Sequence, residues 1–107
     1  MNLTGRPVQQ KREYLTNRAW LDYVKSLPSC VSGMPADDPH HIKGYASLTG
    51  ASGGQKGDDL FAIPLTREEH TRFHAMPVKE WEMQHGSQLW HVLQTIRQGI
   101  IDGVLKW

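Results

Sequence analysis

The chain has 107 residues, a formal net charge of +1, six histidines and one cysteine. This length suits one domain with a modest core, and a single cysteine excludes an intramolecular disulfide and an all-cysteine zinc knuckle. The sequence has no signal-peptide pattern and no apolar run of roughly 20 residues, so we expect a soluble cytoplasmic protein with no membrane partner. So small a net charge does not by itself indicate a nucleic-acid partner.

Residues 1–13 are polar overall and show no apolar period. They predict a basic flexible arm over residues 1–15, followed by a single domain over residues 16–107. Three cations of this arm are candidate phosphate contacts: Arg6, Lys11 and Arg12. Basic arms that are merely solvated are equally common, so the arm alone leaves phosphate binding open.

A short amphipathic helix is predicted after the arm. Thr16 or Asn17 can cap its N-terminus, and Pro28 lies beyond its end. Its apolar residues recur at helical spacing: Trp20, Leu21, Val24 and Leu27. This pattern favours a helix that packs on the core.

Four of the six histidines form two close pairs in the middle of the chain. Pro39 favours extended backbone, so His40 and His41 are expected on or beside a strand, where neighbouring side chains point to opposite faces. His70 and His74 are four residues apart, so on a helix both imidazoles project from one face and can reach one ion. His40 can supply a third ligand, which leaves His41 free to move protons.

Glycines and small polar residues dominate residues 45–59 and predict a flexible loop. The stretch is not a P-loop, because no Gly-Lys-Ser/Thr follows at the required spacing. Lys56 could bring a cation to a phosphate, although an exposed lysine in such a loop is solvated by default. The apolar run at residues 60–63, which ends before Pro64, predicts a short buried strand.

The strongest local signal is a capping box formed by Thr66 and Glu69. In this motif the two side chains satisfy free N–H groups at a helix start, so a helix is predicted from Arg67. That helix would carry His70 and His74 beside the two predicted strands.

Two more helices are predicted in the C-terminal third. One has Gly86 as its C-cap, and the other begins after Ser87 and ends near Gly103. His85 and His91 fall in these helices and are interpreted as structural or surface histidines. The three tryptophans of this part are interpreted as core and rim packing.

From Trp20 to Leu105 the chain resembles the phage Ref-type (recombination enhancement function) branch of the HNH, or ββα-metal, nuclease superfamily. The residues that carry the resemblance are LDYVKSLP at 21–28, GMPA at 33–36, HHI at 40–42, Lys56, DDL at 58–60, IPL at 63–65, His70, His74 and GSQL at 86–89. The resemblance implies an α+β fold with a ββα-metal (HNH/His-Me finger) core, an N-terminal helix and two C-terminal helices.

By this resemblance three histidines would ligate one divalent ion: His40, His70 and His74. His41 would be the general base that activates water. Many HNH enzymes have an asparagine that orients this base; Asp59 would stand at that position here, with Asp58 as its rival. A carboxylate that is hydrogen-bonded to His41 would raise the basicity of the imidazole.

Relatives in this superfamily often carry a structural zinc held by cysteines and histidines. The corresponding places in this chain are Ser29, Ser32, Thr66 and Glu69, with Cys30 displaced by one residue. These side chains cannot form a sulfur-rich tetrahedral site. We therefore expect the structural zinc site to be absent.

The resemblance implies a metal-dependent DNA endonuclease of phage or prophage type, acting in the bacterial cytoplasm. It would hydrolyse phosphodiesters by a one-metal, histidine general-base mechanism and with low sequence specificity. The metal stays open among Mg, Mn, Zn, Ni and Co, as does the choice of single- or double-stranded DNA or of RNA. A recombinase filament is a further implied partner. Five cations are candidate substrate contacts: Lys56, Lys43, Arg6, Lys11 and Arg12.

Two other functions stay open. In the first, all four histidines hold a metal in a non-catalytic module that binds DNA or protein. In the second, the histidines serve only structural hydrogen bonds, and the protein binds no metal.

Overall fold

The computed structural model describes residues 12–107, which form an α+β domain of five α-helices and one two-stranded antiparallel sheet. The helices are α1 (Arg18–Lys25), α2 (Ala46–Thr49), α3 (Arg67–His74), α4 (Val78–His85) and α5 (Gln88–Ile101). The strands are β1 (Asp38–His41) and β2 (Ala62–Leu65), and a single 3₁₀ turn at Asp59–Phe61 precedes β2. The predicted α+β class, N-terminal helix and two C-terminal helices are confirmed.

Helix α1 begins as its sequence predicts, because the Asn17 side chain accepts a hydrogen bond from Trp20 N. The helix buries Trp20 and Val24 in a small apolar cluster with Ala62 of β2. Its burial against the sheet places α1 beside β1 and β2.

The sheet pairs His40 with Ile63 and His41 with Ala62. Strand β2 lies two residues later than the apolar run predicted, because residues 59–61 form the 3₁₀ turn. That turn is held from outside the sheet, since Asp59 N donates to Leu15 O. Pro64 is tolerated within β2 because both strands of a two-stranded sheet are edge strands.

The predicted flexible loop at residues 45–59 contains local structure. Helix α2 provides one helical turn and ends at Gly50. The φ of Gly50 is 82°, a left-handed conformation that is unfavourable for residues with a side chain. Ser52 and Gln55 form an isolated bridge, and Thr49 is buried. The glycines therefore form turns rather than one featureless loop.

Residues 12–15, which were assigned to the flexible arm, bind the body of the domain. Asp58 is buried, and its carboxylate accepts hydrogen bonds from Arg12 Nη2 at 2.6 Å and from Leu15 N at 3.1 Å. Tyr14 donates its hydroxyl to Gly50 O at 2.9 Å. The rest of the predicted arm, including Arg6 and Lys11, lies outside the described residues.

The main core lies between the sheet and the last three helices. Its buried members are Ile42, Ile63, Leu65, Phe73, Trp81 and Val92. Phe73 of α3 meets Trp81 of α4 edge to face, with ring centroids 5.2 Å apart. Trp81 is thus a core residue as predicted, whereas Trp90 and Trp107 are exposed.

Within residues 12–107, no helix is long and apolar enough to cross a membrane.

Candidate metal centre and adjoining cleft

Strand β1 and helix α3 bring three histidines together. His40 lies on β1, and His70 and His74 lie one turn apart on α3. One ring nitrogen from each lies within 4.8 Å of the others, and within the described residues this is the one group of its kind that could hold a metal. The capping box at Thr66 and Glu69 is present, so it fixes where α3 begins and therefore which face carries the two histidines.

His40 is fully buried and is oriented by Gln88 at the start of α5. Gln88 Oε1 accepts from Lys43 N at 3.0 Å and Gln88 Nε2 donates to Lys43 O at 2.8 Å, which fixes the orientation of the amide. His40 Nε2 lies 3.3 Å from Gln88 Oε1, so this nitrogen carries the proton that it donates. His40 Nδ1 is then left with a free lone pair.

Burial lowers the pKa of His40 to about 3, and the nearby charge of His70 acts in the same direction. The imidazole is therefore neutral near pH 7. A neutral ring is the form that binds a metal, so the buried environment prepares His40 for ligation.

His70 is oriented by Asp38, its neighbour across the gap between α3 and β1. His70 Nδ1 lies 3.1 Å from Asp38 Oδ2 and can donate to it, which leaves Nε2 free. Hydrogen bonding from Arg67 lowers the pKa of Asp38, so this carboxyl stays ionised. His74 is exposed, and its pKa is lowered by desolvation and by the charges of His70 and Lys43.

These residues fit a divalent metal ion. The donor set consists of three imidazoles, two of which have their second nitrogen engaged by a fixed acceptor. Such second contacts are typical of metal-binding histidines. Imidazole donors suit zinc, nickel, cobalt and manganese, and three protein ligands leave coordination positions open.

His41, the next residue along β1, is paired with Asp59. His41 Nε2 lies 2.8 Å from Asp59 Oδ1, and its side chain keeps 13% of its surface exposed. Asp59 Oδ2 accepts from Asn17 N at 2.7 Å, so the start of α1 holds the carboxylate in place. Asp58, the rival partner, is engaged by Arg12 and Leu15 instead.

One cleft of about 180 Å³ is lined by all four of these histidines. Its remaining wall includes Lys43 and Lys56, together with small residues of the glycine-rich segment. The two lysines thus lie where a bound anion could meet them.

Arg12 departs from the predicted role of a substrate contact. Its guanidinium donates to Asp58 Oδ2 and to Leu48 O, and it lies outside the lining of the cleft. Removing it from the buried Asp58 carboxylate would leave an unpaired charge, so this arginine anchors the chain. The other predicted contacts of the arm, Arg6 and Lys11, lie outside the described residues.

The four positions expected to replace structural zinc ligands also come together. Ser29 donates its hydroxyl to Glu69 Oε1, and Thr66 N donates to the same oxygen at 2.8 Å. Ser32 N in turn donates to Ser29 Oγ at 3.2 Å. Hydrogen bonds through Glu69 therefore join the segment after α1 to the start of α3.

Sequence reasoning missed Asp38 and Gln88, the two residues that orient the ligand histidines. Asp38 carries a usable signal, because in a strand it points to the same face as His40, two residues later. Gln88 belongs to the GSQL stretch at 86–89 that carries part of the resemblance, but that stretch indicates no contact with His40, which lies 48 residues away and is reached only through the packing of α5.

A family model described as "Protein of unknown function (DUF968)" matches residues 6–103. The chain is similar to the "Uncharacterized protein YdfU" of Escherichia coli (strain K12), with 38% identity over 96 residues. The match covers 89% of this chain and 26% of YdfU, so the chain spans about a quarter of the length of this relative. No solved structure matches the chain significantly.

Proposed function

The chain belongs to the DUF968 family, and from its cleft we propose that this member is a metal-dependent DNA endonuclease of the HNH type. One observation carries the proposal: three histidines that can share a metal ion border the same cleft as a histidine paired with a carboxylate. We propose further that β1, β2 and α3 form a ββα-metal core.

The proposed reaction is hydrolysis of a phosphodiester by water. His41 holds its Nε2 proton against Asp59, so its Nδ1 is free to take a proton from the attacking water. The water oxygen forms a bond to phosphorus, the bond to the leaving oxygen breaks, and that oxygen takes up a proton. Asp59 keeps the ring in this tautomer and stabilises the imidazolium that forms.

His40, His70 and His74 would hold the divalent ion. When bound, such an ion supplies Lewis-acid stabilisation of a phosphate and orients it. Lys43 and Lys56 add positive charge at the same cleft, and lysine binds phosphate as a point charge.

DNA is the proposed substrate because of the resemblance to HNH nucleases. A site that binds phosphate reads little base sequence, so low sequence specificity is expected. The same resemblance suggests a phage or prophage protein that acts in the bacterial cytoplasm, with a recombinase filament as a candidate partner.

The decisive experiment compares wild-type protein with His41→Ala on supercoiled and single-stranded DNA. Nicking should require a divalent ion, stop with a chelator and fall at least about 100-fold in His41→Ala, the usual minimum contribution of a general base. His85→Ala is the matched control, because His85 lies on α4 away from the cleft. RNA of the same sequence tests the choice of nucleic acid.

Metal binding by the same variants separates this proposal from a non-catalytic metal-binding module. A nuclease keeps its metal when His41 is replaced, since three other histidines supply the ligands. If His41→Ala loses the metal as well, and wild-type protein cleaves no nucleic acid with any of the ions, the endonuclease proposal is wrong.

A further inference from the structure

We propose that a groove along α1, continuous with the histidine cleft, holds the phosphodiester backbone of the substrate through Arg18 and Lys25. This inference rests on the proposed function and deepens it, because it states where the nucleic acid runs outside the cleft. Arg18, Leu21, Asp22 and Lys25 form the α1 side of this groove, whose volume is about 350 Å³.

The groove and the histidine cleft adjoin each other. Both are lined by Pro39, His41, Lys56 and His70. A polymer with its scissile phosphate beside His41 would therefore meet the groove along α1 directly next to the cleft. Lys56 stands at the junction and can contact the chain on either side.

The helix presents its cations to the groove because of its period. Trp20 and Val24 are buried against the sheet, whereas Arg18 and Lys25 lie on the other side with side chains 85% and 48% exposed. Seven residues separate the two cations, which is about 10 Å along a helix axis. That distance corresponds to about three nucleotide steps of a B-form strand at roughly 3.4 Å each.

Asp22 lies between these cations, with its Oδ1 3.6 Å from both Arg18 Nε and Lys25 Nζ. The contacts are long and exposed, so they stabilise the protein little. Asp22 and Asp38, which also lines the groove, lower its positive potential, and Asp22 in addition competes with phosphate for both side chains. Its removal should therefore strengthen binding, an effect opposite in sign to removal of either cation.

The groove chemistry favours contact with the backbone over contact with bases. Among the described residues that line it, none is phenylalanine, tyrosine or tryptophan. Proteins that hold single strands through their bases use such rings as stacking platforms. A groove that offers cationic side chains but no such rings binds phosphates, so we expect nucleic-acid affinity to depend strongly on salt concentration and weakly on base sequence.

The test measures binding of fluorescein-labelled single- and double-stranded oligonucleotides in the His41→Ala background across a range of salt concentrations. Arg18→Gln and Lys25→Gln should each weaken binding and reduce the slope of log affinity against log salt by about 1. Asp22→Asn should raise the affinity. Arg97→Gln, an exposed arginine on α5, is the matched control and should change neither quantity.

Two results would contradict the proposal that this groove holds the nucleic-acid backbone. The first is Arg18→Gln and Lys25→Gln behaving like Arg97→Gln; the second is Asp22→Asn weakening binding. Either result leaves the endonuclease intact if wild-type protein still nicks DNA. Wild-type protein that neither cuts nor binds nucleic acid removes both proposals together, so the two failures are distinguishable.

Discussion

At the scale of single residues, the candidate site depends on side chains that contact histidines rather than on the histidines alone. Asp38 accepts from one nitrogen of His70, and Gln88 accepts from one nitrogen of His40. Each contact selects a tautomer and leaves the opposite nitrogen available. Arg67 supports this arrangement because it holds Asp38 in its ionised form.

Asp38→Asn is therefore expected to weaken divalent-metal affinity by about tenfold or more. The amide keeps the size of the side chain but removes the negative charge that favours the donating form of His70. Isothermal titration of the metal-free protein measures the change. Asp37→Asn is the control: it removes the same charge one residue earlier, where the side chain accepts from Arg67 N instead of a histidine. Equal affinities for the two variants would contradict this role of Asp38.

At the scale of elements, helix α3 presents two of the three metal-site histidines and is only eight residues long. Isolated helices of this length are unstable in water. Its start is stabilised by the reciprocal hydrogen bonds of Thr66 and Glu69, and acidic residues in its first turn complement the helix dipole. Glu69 also accepts from Ser29, so the helix start is tied to the segment that follows α1.

Thr66→Ala should lower the free energy of unfolding by about 1 kcal/mol, because Glu69 N then loses its side-chain acceptor. Urea denaturation at constant m-value gives this difference. The control is Thr71→Ala on the same helix, where the exposed hydroxyl only donates back to Arg67 O. A loss as large in Thr71→Ala as in Thr66→Ala would show that the cap is not the cause.

At the scale of the whole molecule, the first and last helices contact each other directly. A β-carbon on Gly99 of α5 would lie 2.6 Å from Trp20 Cζ3 of α1, so the helices approach this closely only because Gly99 has no side chain. Trp20 is 2% exposed, so its ring is packed within the protein. The contact sets the position of α1, whose N-cap residue also holds Asp59.

Gly99→Ala is expected to destabilise the protein. Alanine gains about 1 kcal/mol of helix propensity, but overpacking against a buried tryptophan costs about 1–3 kcal/mol, so the net loss is up to about 2 kcal/mol. Thermal unfolding followed by circular dichroism measures it. Gly54→Ala is the control, since a β-carbon there meets nothing within 4 Å. A Gly99→Ala variant as stable as the parent would show that α1 and α5 can separate without loss.

Local signals in the sequence were sufficient for several elements. Asn17 and Thr66 cap helices that begin where predicted, and Ser87 does the same for α5. These predictions succeeded because a cap and a helical period act over a few residues. The spacing of His70 and His74 likewise predicts one shared face, since four residues make about one helical turn.

Only the tertiary structure decided which residues complete the site. In the tertiary structure, strand β2 lies two residues later than predicted, and residues 12–15 are anchored through Asp58. Gln88 contacts His40, although the two are 48 residues apart in the chain. Such contacts depend on how α5 and the N-terminal segment pack against the sheet, and a linear pattern carries no information about that packing. The sequence alone therefore determined helices α1, α3, α4 and α5 and the ligand spacing, whereas the orientation of the His40, His41 and His70 rings followed from long-range hydrogen bonds.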